Sequence, residues 1–193
     1  MESYSQAHQD VFVLECLNRK RDGFFLDLGC HDPVWISNTY LLERDWGWTG
    51  IAIDLEPTMI SRWAGARTCR ALAADCTTMD YDALLAGAGV SHVDYLSLDL
   101  DGDATLRTLR ALPLATRTFG VITFEHDLYR FGPEIRDTSR GIFESHGYHL
   151  LCRDVTNCGH RYEDWYVHPD HVDLTSVMRF SSEGMDHGDI IKL

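Results

Sequence analysis

The sequence predicts an α/β fold built on a doubly wound, mostly parallel sheet, and three observations lead there. Short apolar runs begin near residues 24, 50, 69, 93, 119 and 148, leaving room for one helix between each pair. Successive runs close on an acid: Asp27, Asp54, Asp75, Asp99 and Glu125. The last two runs are separated only by residues 154–163, too few for a helical crossover, so they are expected to pair antiparallel at one edge. The expected sheet therefore has seven strands and a single edge hairpin.

One domain is expected over residues 1–193, with an N-terminal helix in 1–22, a core over 23–169 and a tail over 170–193. A net charge of −13 argues against a nucleic-acid backbone or an anionic membrane as the main partner. No run approaches the roughly 20 apolar residues of a membrane span, and the first residues lack the basic and apolar regions of a signal peptide. The six cysteines are scattered without a CxxC spacing, which fits reduced thiols in a cytoplasm better than a disulfide or zinc framework.

In chain order, Val11, Phe12, Leu14 and Leu17 form a helical stripe over residues 5–18, with Ser5 as its expected N-cap and a stop at Lys20-Arg21-Asp22-Gly23. The strand Phe24-Phe25-Leu26-Asp27-Leu28 follows and ends at Gly29, where the backbone turns tightly and can approach a ligand. Ser37-Asn38 reads as the cap of the next helix. Ile51-Ala52-Ile53 closes on Asp54, and Glu56-Pro57 opens a helix through Trp63, since proline suits the first turn. Residues 69–74 form a third strand, 80–86 a helix, and Val93 to Leu98 a fourth strand. From Asp103 to Leu112 acid comes first and arginines later, the order a helix dipole favours. Residues 119–124 form strand five, 133–145 a helix, 148–152 strand six and 165–167 strand seven.

In open parallel sheets ligands bind at the C-terminal strand edge, and there the acids collect. An acid after the second strand suits a ribose, because its two oxygens accept from two vicinal hydroxyls. A single acid of this kind is as readily a helix cap; a succession of them at one edge is harder to explain so. No G-x-G-x-x-G or GxxxxGK[ST] supplies a phosphate cradle, and Asp32 would repel phosphates. A ligand with a ribose and a cation instead of phosphates fits such an edge, and S-adenosylmethionine has that chemistry.

The motif blocks resemble the FkbM-type methyltransferases. They are Ser5-Gln6-x-x-Gln9-Asp10; Gly23 to Gly29; Ser37-Asn38-Thr39-Tyr40-x-Leu42-Glu43; Gly47-Trp48-Thr49-Gly50-Ile51; Asp54-x-x-Pro57; Asp94 to Asp99 with Asp101-Gly102; Ile122 to Asp127; and Tyr162 to Val167 with Pro169. Two departures are Asp101, where the family often has glutamate, and His31-Asp32-Pro33 in place of a small or glycine-containing turn. The resemblance implies a class I Rossmann-like three-layer sandwich and methyl transfer from S-adenosylmethionine, commonly to a hydroxyl oxygen.

On that scaffold Gln9, Asp27 and Gly29 are expected to serve the methionine end of the cofactor site and Asn38 to hold its loop. Asp54 is assigned the ribose, Ala74 and Asp75 the adenine amine, and Asp99 the methionine ammonium or the acceptor. His126 is the expected general base, with Glu125 and Asp127 orienting it; Mg²⁺ held by these acids with Asp99 is left open. The expected partner is a small-molecule acceptor, a sugar or hydroxylated metabolite, and homo-oligomerisation is left open. A nicotinamide-dependent oxidoreductase and a non-catalytic cofactor-binding module are the competing readings.

Overall fold

Residues 9–16 form helix α1 (Gln9–Cys16), and the run Phe24–Leu28 forms β1, buried after its first residue. The computed structural model describes all 193 residues. Helix α2 (Tyr40–Trp46) leads to β2 (Thr49–Asp54), and α3 (Pro57–Trp63) leads to β3 (Arg70–Ala73). Helix α4 (Tyr81–Gly87) precedes β4 (His92–Leu98), and α5 (Asp103–Ala111) precedes β5 (Thr118–Glu125). Two helices, α6 (Leu128–Phe131) and α7 (Pro133–Ser145), lead into the hairpin of β6 (His149–Asn157) and β7 (His160–Val167).

The sheet order is β3-β2-β1-β4-β5-β7-β6 followed by a short eighth strand, β8 (Ser182–Glu183). The first five strands pair in parallel, while β7 runs antiparallel to both β5 and β6. Side chains alternate between the two faces of the sheet. Leu26, Leu28, Leu96, Leu98 and Phe124 join Leu85, Leu106, Leu109 and Phe143 from the helices in one core. Phe25, Tyr95, Val121 and Trp165 join Phe12 and Leu41 in the other. Both faces are apolar, so helices cover both and the fold has three layers. Trp165 is fully buried against Phe12, with ring centroids 4.4 Å apart.

Several expectations are corrected. The sheet has eight strands because part of the segment 170–193 folds back: Cys152 pairs with Ser182 and Arg153 with Glu183. Short helices α8 (Leu174–Val177) and α9 (His187–Ile190) flank that strand. Strands six and seven extend through residues 154–163, where the sequence predicts a loop; the turn between them is only Cys158-Gly159. Both turn residues have positive φ, 51° and 79°, the conformation a two-residue hairpin requires.

The first helix starts at Gln9, not Ser5, because Asp10 draws the preceding chain into a strap. Its carboxylate accepts from the Ser3 and Ser5 hydroxyls at 2.6 and 2.8 Å and from the Tyr4 amide at 2.8 Å. The helix also stops early, at Cys16, since Asn18 and Arg19 take left-handed φ values of 51° and 54°. Asn38 caps nothing: the residue before α2 is Thr39, and the Asn38 side chain turns toward β4 instead.

Candidate active site

The strand order reverses direction at β1, with β2 on one side and β4 on the other, which is where open α/β sheets bind ligands. Just past β1, the Gly29 and Cys30 amides both donate to the Ile53 carbonyl, at 2.9 and 3.2 Å, and the Asp99 amide donates to Leu28 O at 2.9 Å. This packing needs a glycine: Gly29 has φ +89°, and a Cβ there would lie 1.8 Å from Asp99 O.

A cavity of about 670 Å³ opens at this edge. Gly29, His31 and Ile36 line it from the segment after β1, and Asp54 and Leu55 from the end of β2. Asp99, Leu100 and Asp101 enter after β4, and Glu125, Asp127, Tyr129 and Arg130 after β5. Asn157, Cys158, His160 and Tyr162 come from the β6–β7 hairpin, and Gln6 from the N-terminal strap.

Of the residues singled out from the sequence, Gly29, Asp54, Asp99, Glu125 and Asp127 meet in this cavity. Asp54 uses one oxygen to accept the His31 amide and the other to accept the Glu56 amide, both at 2.9 Å. Each oxygen keeps a further lone pair. Asp99 and Glu125 hydrogen-bond each other. Burial raises both carboxyl groups, and the mutual repulsion of the pair, with Asp127 adding to it, holds a proton on Glu125. Arg130 donates from one nitrogen to Asp101 at 2.7 Å and to Asp127 at 2.9 Å. Arg130 covers only one oxygen each of Asp101 and Asp127, so the pair of contacts leaves the other carboxylate oxygens of the cluster facing the cavity.

The other candidates lie off the cavity wall. Gln9 is buried one side chain behind it, donating to the Tyr162 hydroxyl at 3.3 Å and to Glu163 at 3.1 Å. Asp27 is buried and accepts from Thr39 Oγ1 at 2.8 Å; burial raises its pKa to about 6. Asn38 Nδ2 donates to Ser97 Oγ at 3.0 Å, and its Oδ1 is buried without a partner. The Ala74 amide donates to Asp54 O at 2.9 Å, and exposed Asp75 caps the turn at Thr77.

His126, the expected base, faces away from the cavity and is fully buried. Its Nδ1 accepts the Leu128 amide at 3.2 Å, so the proton of the neutral ring sits on Nε2. Neither nitrogen is then free to take a proton from a ligand in the cavity. The reason is local: His126 and Asp127 both donate their amides to Tyr162 O, at 2.7 and 2.9 Å, and this rolls the chain over after β5.

Glu163 was missed. It is buried beneath Tyr162, accepts Trp165 Nε1 at 2.6 Å and Gln9 Nε2 at 3.1 Å, and burial lifts its pKa to about 8. Its place in the Tyr162 to Val167 block is the one sequence signal for it; the residue itself is expected at the end of the 154–163 loop, where an acid reads as exposed. A raised folded-state pKa means the folded chain binds more protons than the unfolded one from the ordinary glutamate range near 4.5 up to about 8. Wild-type stability from Glu163 is thus complete at acid pH and declines as pH rises through that window. Urea denaturation of Glu163→Gln at several pH values should show that this component of the decline is gone; an unchanged profile would place the carboxylate in water.

No family model and no curated protein sequence matches the chain. Solved structures do match it in fold. A TehB-like S-adenosylmethionine-dependent methyltransferase from Corynebacterium glutamicum superposes with TM-score 0.55 at 15% identity, over 85% of this chain and 88% of its own. The S. pombe Dnmt2 methyltransferase gives 0.56 at 14% identity over 82% and 54%. An S-adenosylmethionine-dependent methyltransferase from Archaeoglobus fulgidus gives 0.50 at 15% identity over 78% and 72%. The chain therefore has the Rossmann-like fold of the class I S-adenosylmethionine-dependent methyltransferases. At these identities the similarity establishes the fold alone.

Proposed function

We propose that the chain is an S-adenosylmethionine-dependent methyltransferase acting on a hydroxyl oxygen of a small acceptor, a sugar or other hydroxylated metabolite. The observation that carries the reading is a carboxylate-floored cavity without a phosphate cradle at the switch point of a methyltransferase fold. The cofactor supplies a methyl group on a sulfonium, open to in-line displacement. Negative potential from Asp99 and its neighbours suits that cation and the adjoining ammonium.

Asp54 accepts the two ribose hydroxyls through its remaining lone pairs, while Ala74 and Asp75 extend the same edge toward the adenine. Gly29 leaves the backbone open to the methionine end. Gln9 holds Tyr162 against the cavity, and Asn38 presents its unpaired Oδ1 behind the turn after β1. Asp27 secures that turn through Thr39. The Asp99–Glu125 pair, rather than His126, takes the acceptor's hydroxyl proton. Alignment of oxygen and methyl within the cavity supplies much of the rate.

The lining favours a neutral or cationic acceptor over a polyanion. Five acidic side chains, Asp54, Asp99, Asp101, Glu125 and Asp127, line it together with Arg130, which is already paired with Asp101 and Asp127. The blocks that resemble the FkbM family support a hydroxyl as the target. Incubation with the cofactor and a panel of monosaccharides and hydroxylated natural products should yield an acceptor that gains one methyl group by mass spectrometry. Cofactor binding without turnover across a broad panel would favour the non-catalytic module. Asp54→Ala should weaken S-adenosylhomocysteine binding by about 1–3 kcal/mol in calorimetry, the loss of a charged hydrogen-bond acceptor. Unchanged affinity in a folded variant would remove Asp54 from the ribose role.

A further inference from the structure

Beneath the acceptor side of the cavity, His126 bridges two parts of the chain. Its Nδ1 accepts the amide of Leu128, at the start of the turn that carries Asp127, Tyr129 and Arg130 into the cavity. That turn holds Asp127 in the left-handed conformation, with φ 45°. On its other side, Nε2 is fully buried with no hydrogen-bond partner; the nearest groups are Asp164 Oδ1 at 3.6 Å and Asp154 Oδ1 at 3.8 Å. Those acids belong to the hairpin, and α7 faces them: Arg140 donates to Asp164 Oδ2 at 2.7 Å and to both Oδ1 atoms at 2.9 Å. Arg136 lies 3.4 Å from Asp154, and Arg161 lies 3.9 Å from it.

His126, Asp154 and Asp164 are near enough to one another to suggest a metal centre. Arg140 argues against it, because a guanidinium bonded to both carboxylates already neutralises the oxygens an ion would need. What remains is Nε2 buried 3.6 Å from Asp164 Oδ1 and 3.8 Å from Asp154 Oδ1, a long but attractive electrostatic contact in a buried setting.

We propose that His126 is a positioning residue: it fastens the turn over residues 127–131 to the β6–β7 hairpin, and so sets where Asp127, Tyr129 and Arg130 stand in the acceptor half of the cavity. Reading that half as the acceptor site rests on the function proposed above; the fastening itself does not. Its two halves are separable by substitution. Asparagine places Oδ1 where Nδ1 stands and keeps the Leu128 bond. Glutamine keeps a donor near the carboxylates and withdraws the acceptor from Leu128.

The test has three readouts. In wild-type protein at pH 8, long-range ¹⁵N–¹H spectra of the imidazole should show the Nε2–H tautomer; an Nδ1–H tautomer would overturn the proposal even if no variant folds. Hydrogen exchange at the Leu128, Phe131 and Gly132 amides should accelerate by roughly 3–10-fold in His126→Gln, the loss of one hydrogen bond, and much less in His126→Asn. Equal exchange in the two variants would also overturn it. Once an acceptor supports turnover, its KM should rise in both His126→Gln and His126→Asn, since each breaks one half of the link, with the KM for S-adenosylmethionine unchanged in both; a KM as low as wild type in either variant would overturn the proposal. Failure of S-adenosylhomocysteine to bind any of the proteins would sink the proposed function and leave the first two readouts standing.

Discussion

Asp99→Asn should lower turnover by about 10²–10⁴-fold, the contribution of a positioned general base, while the protein stays folded. Asp99 forms a pair with Glu125 at the edge of the cavity. Two carboxyls in one partly desolvated site cannot both ionise cheaply, and burial with the neighbouring Asp99 pushes Glu125 up to about 11, which makes it the better holder of a proton. On the proposed function Asp99, whose hydrogen bond to Glu125 opposes the upward push of burial, is the member assigned to accept a proton from an acceptor hydroxyl. The companion variant distinguishes this from simple disruption. Glutamine resembles a protonated glutamate, so Glu125→Gln should retain turnover within about tenfold. Steady-state kinetics on both variants checks the assignment, and a Glu125→Gln enzyme as inactive as Asp99→Asn would exchange the two roles.

Arg67→Ala should cost about 3–5 kcal/mol of stability, because it breaks a buried ion pair and strands its partner. Arg67 has a side chain only 1% exposed, and it donates to Glu43 at 2.7 Å, to Pro33 O at 2.8 Å, to Ser37 Oγ at 3.2 Å and to Thr39 Oγ1 at 3.1 Å. Its guanidinium also lies over the Trp63 ring, 4.6 Å from the centroid. One side chain therefore ties the segment after β1 to α2 and to the loop before β3. For a chain of this length that loss lowers the melting temperature by roughly 6–20 °C. Arg67→Lys keeps the charge but not the planar fork, and it should fall between wild type and alanine. Thermal denaturation followed by circular dichroism measures all three; a shift of only a degree or two in Arg67→Ala would show that the pair contributes little.

The parallel half of the fold was legible because its determinants are local. Each buried strand is a short apolar run with a turn at its end, and Pro133–Ser145 was placed to the residue by its proline and the glycine beyond it. The hairpin was half legible. Its pairing followed from the short connection, but its extent depended on Cys158-Gly159 adopting positive φ, and Cys158 gives no such signal. β8 was not legible, since its two residues are strand only because β6 offers them an edge.

The site divides in the same way. Acids at strand ends could be read, and Asp54, Asp99 and Glu125 do line the cavity. His126 misled because sequence position gives the strand end and not the direction of the next bond, which Tyr162 O decides. The contacts of Arg67 and Glu163 were invisible because their partners are distant in sequence: Glu43 and Gln9 reach them only once the sheet has closed.

On the proposed function this edge binds an adenosyl sulfonium cofactor, not a dinucleotide. Calorimetric titration of the wild-type protein with S-adenosylhomocysteine and, separately, with NADH tests it most directly. Saturable one-to-one binding of S-adenosylhomocysteine with no heat from NADH is the predicted result. Binding of NADH without S-adenosylhomocysteine would contradict it.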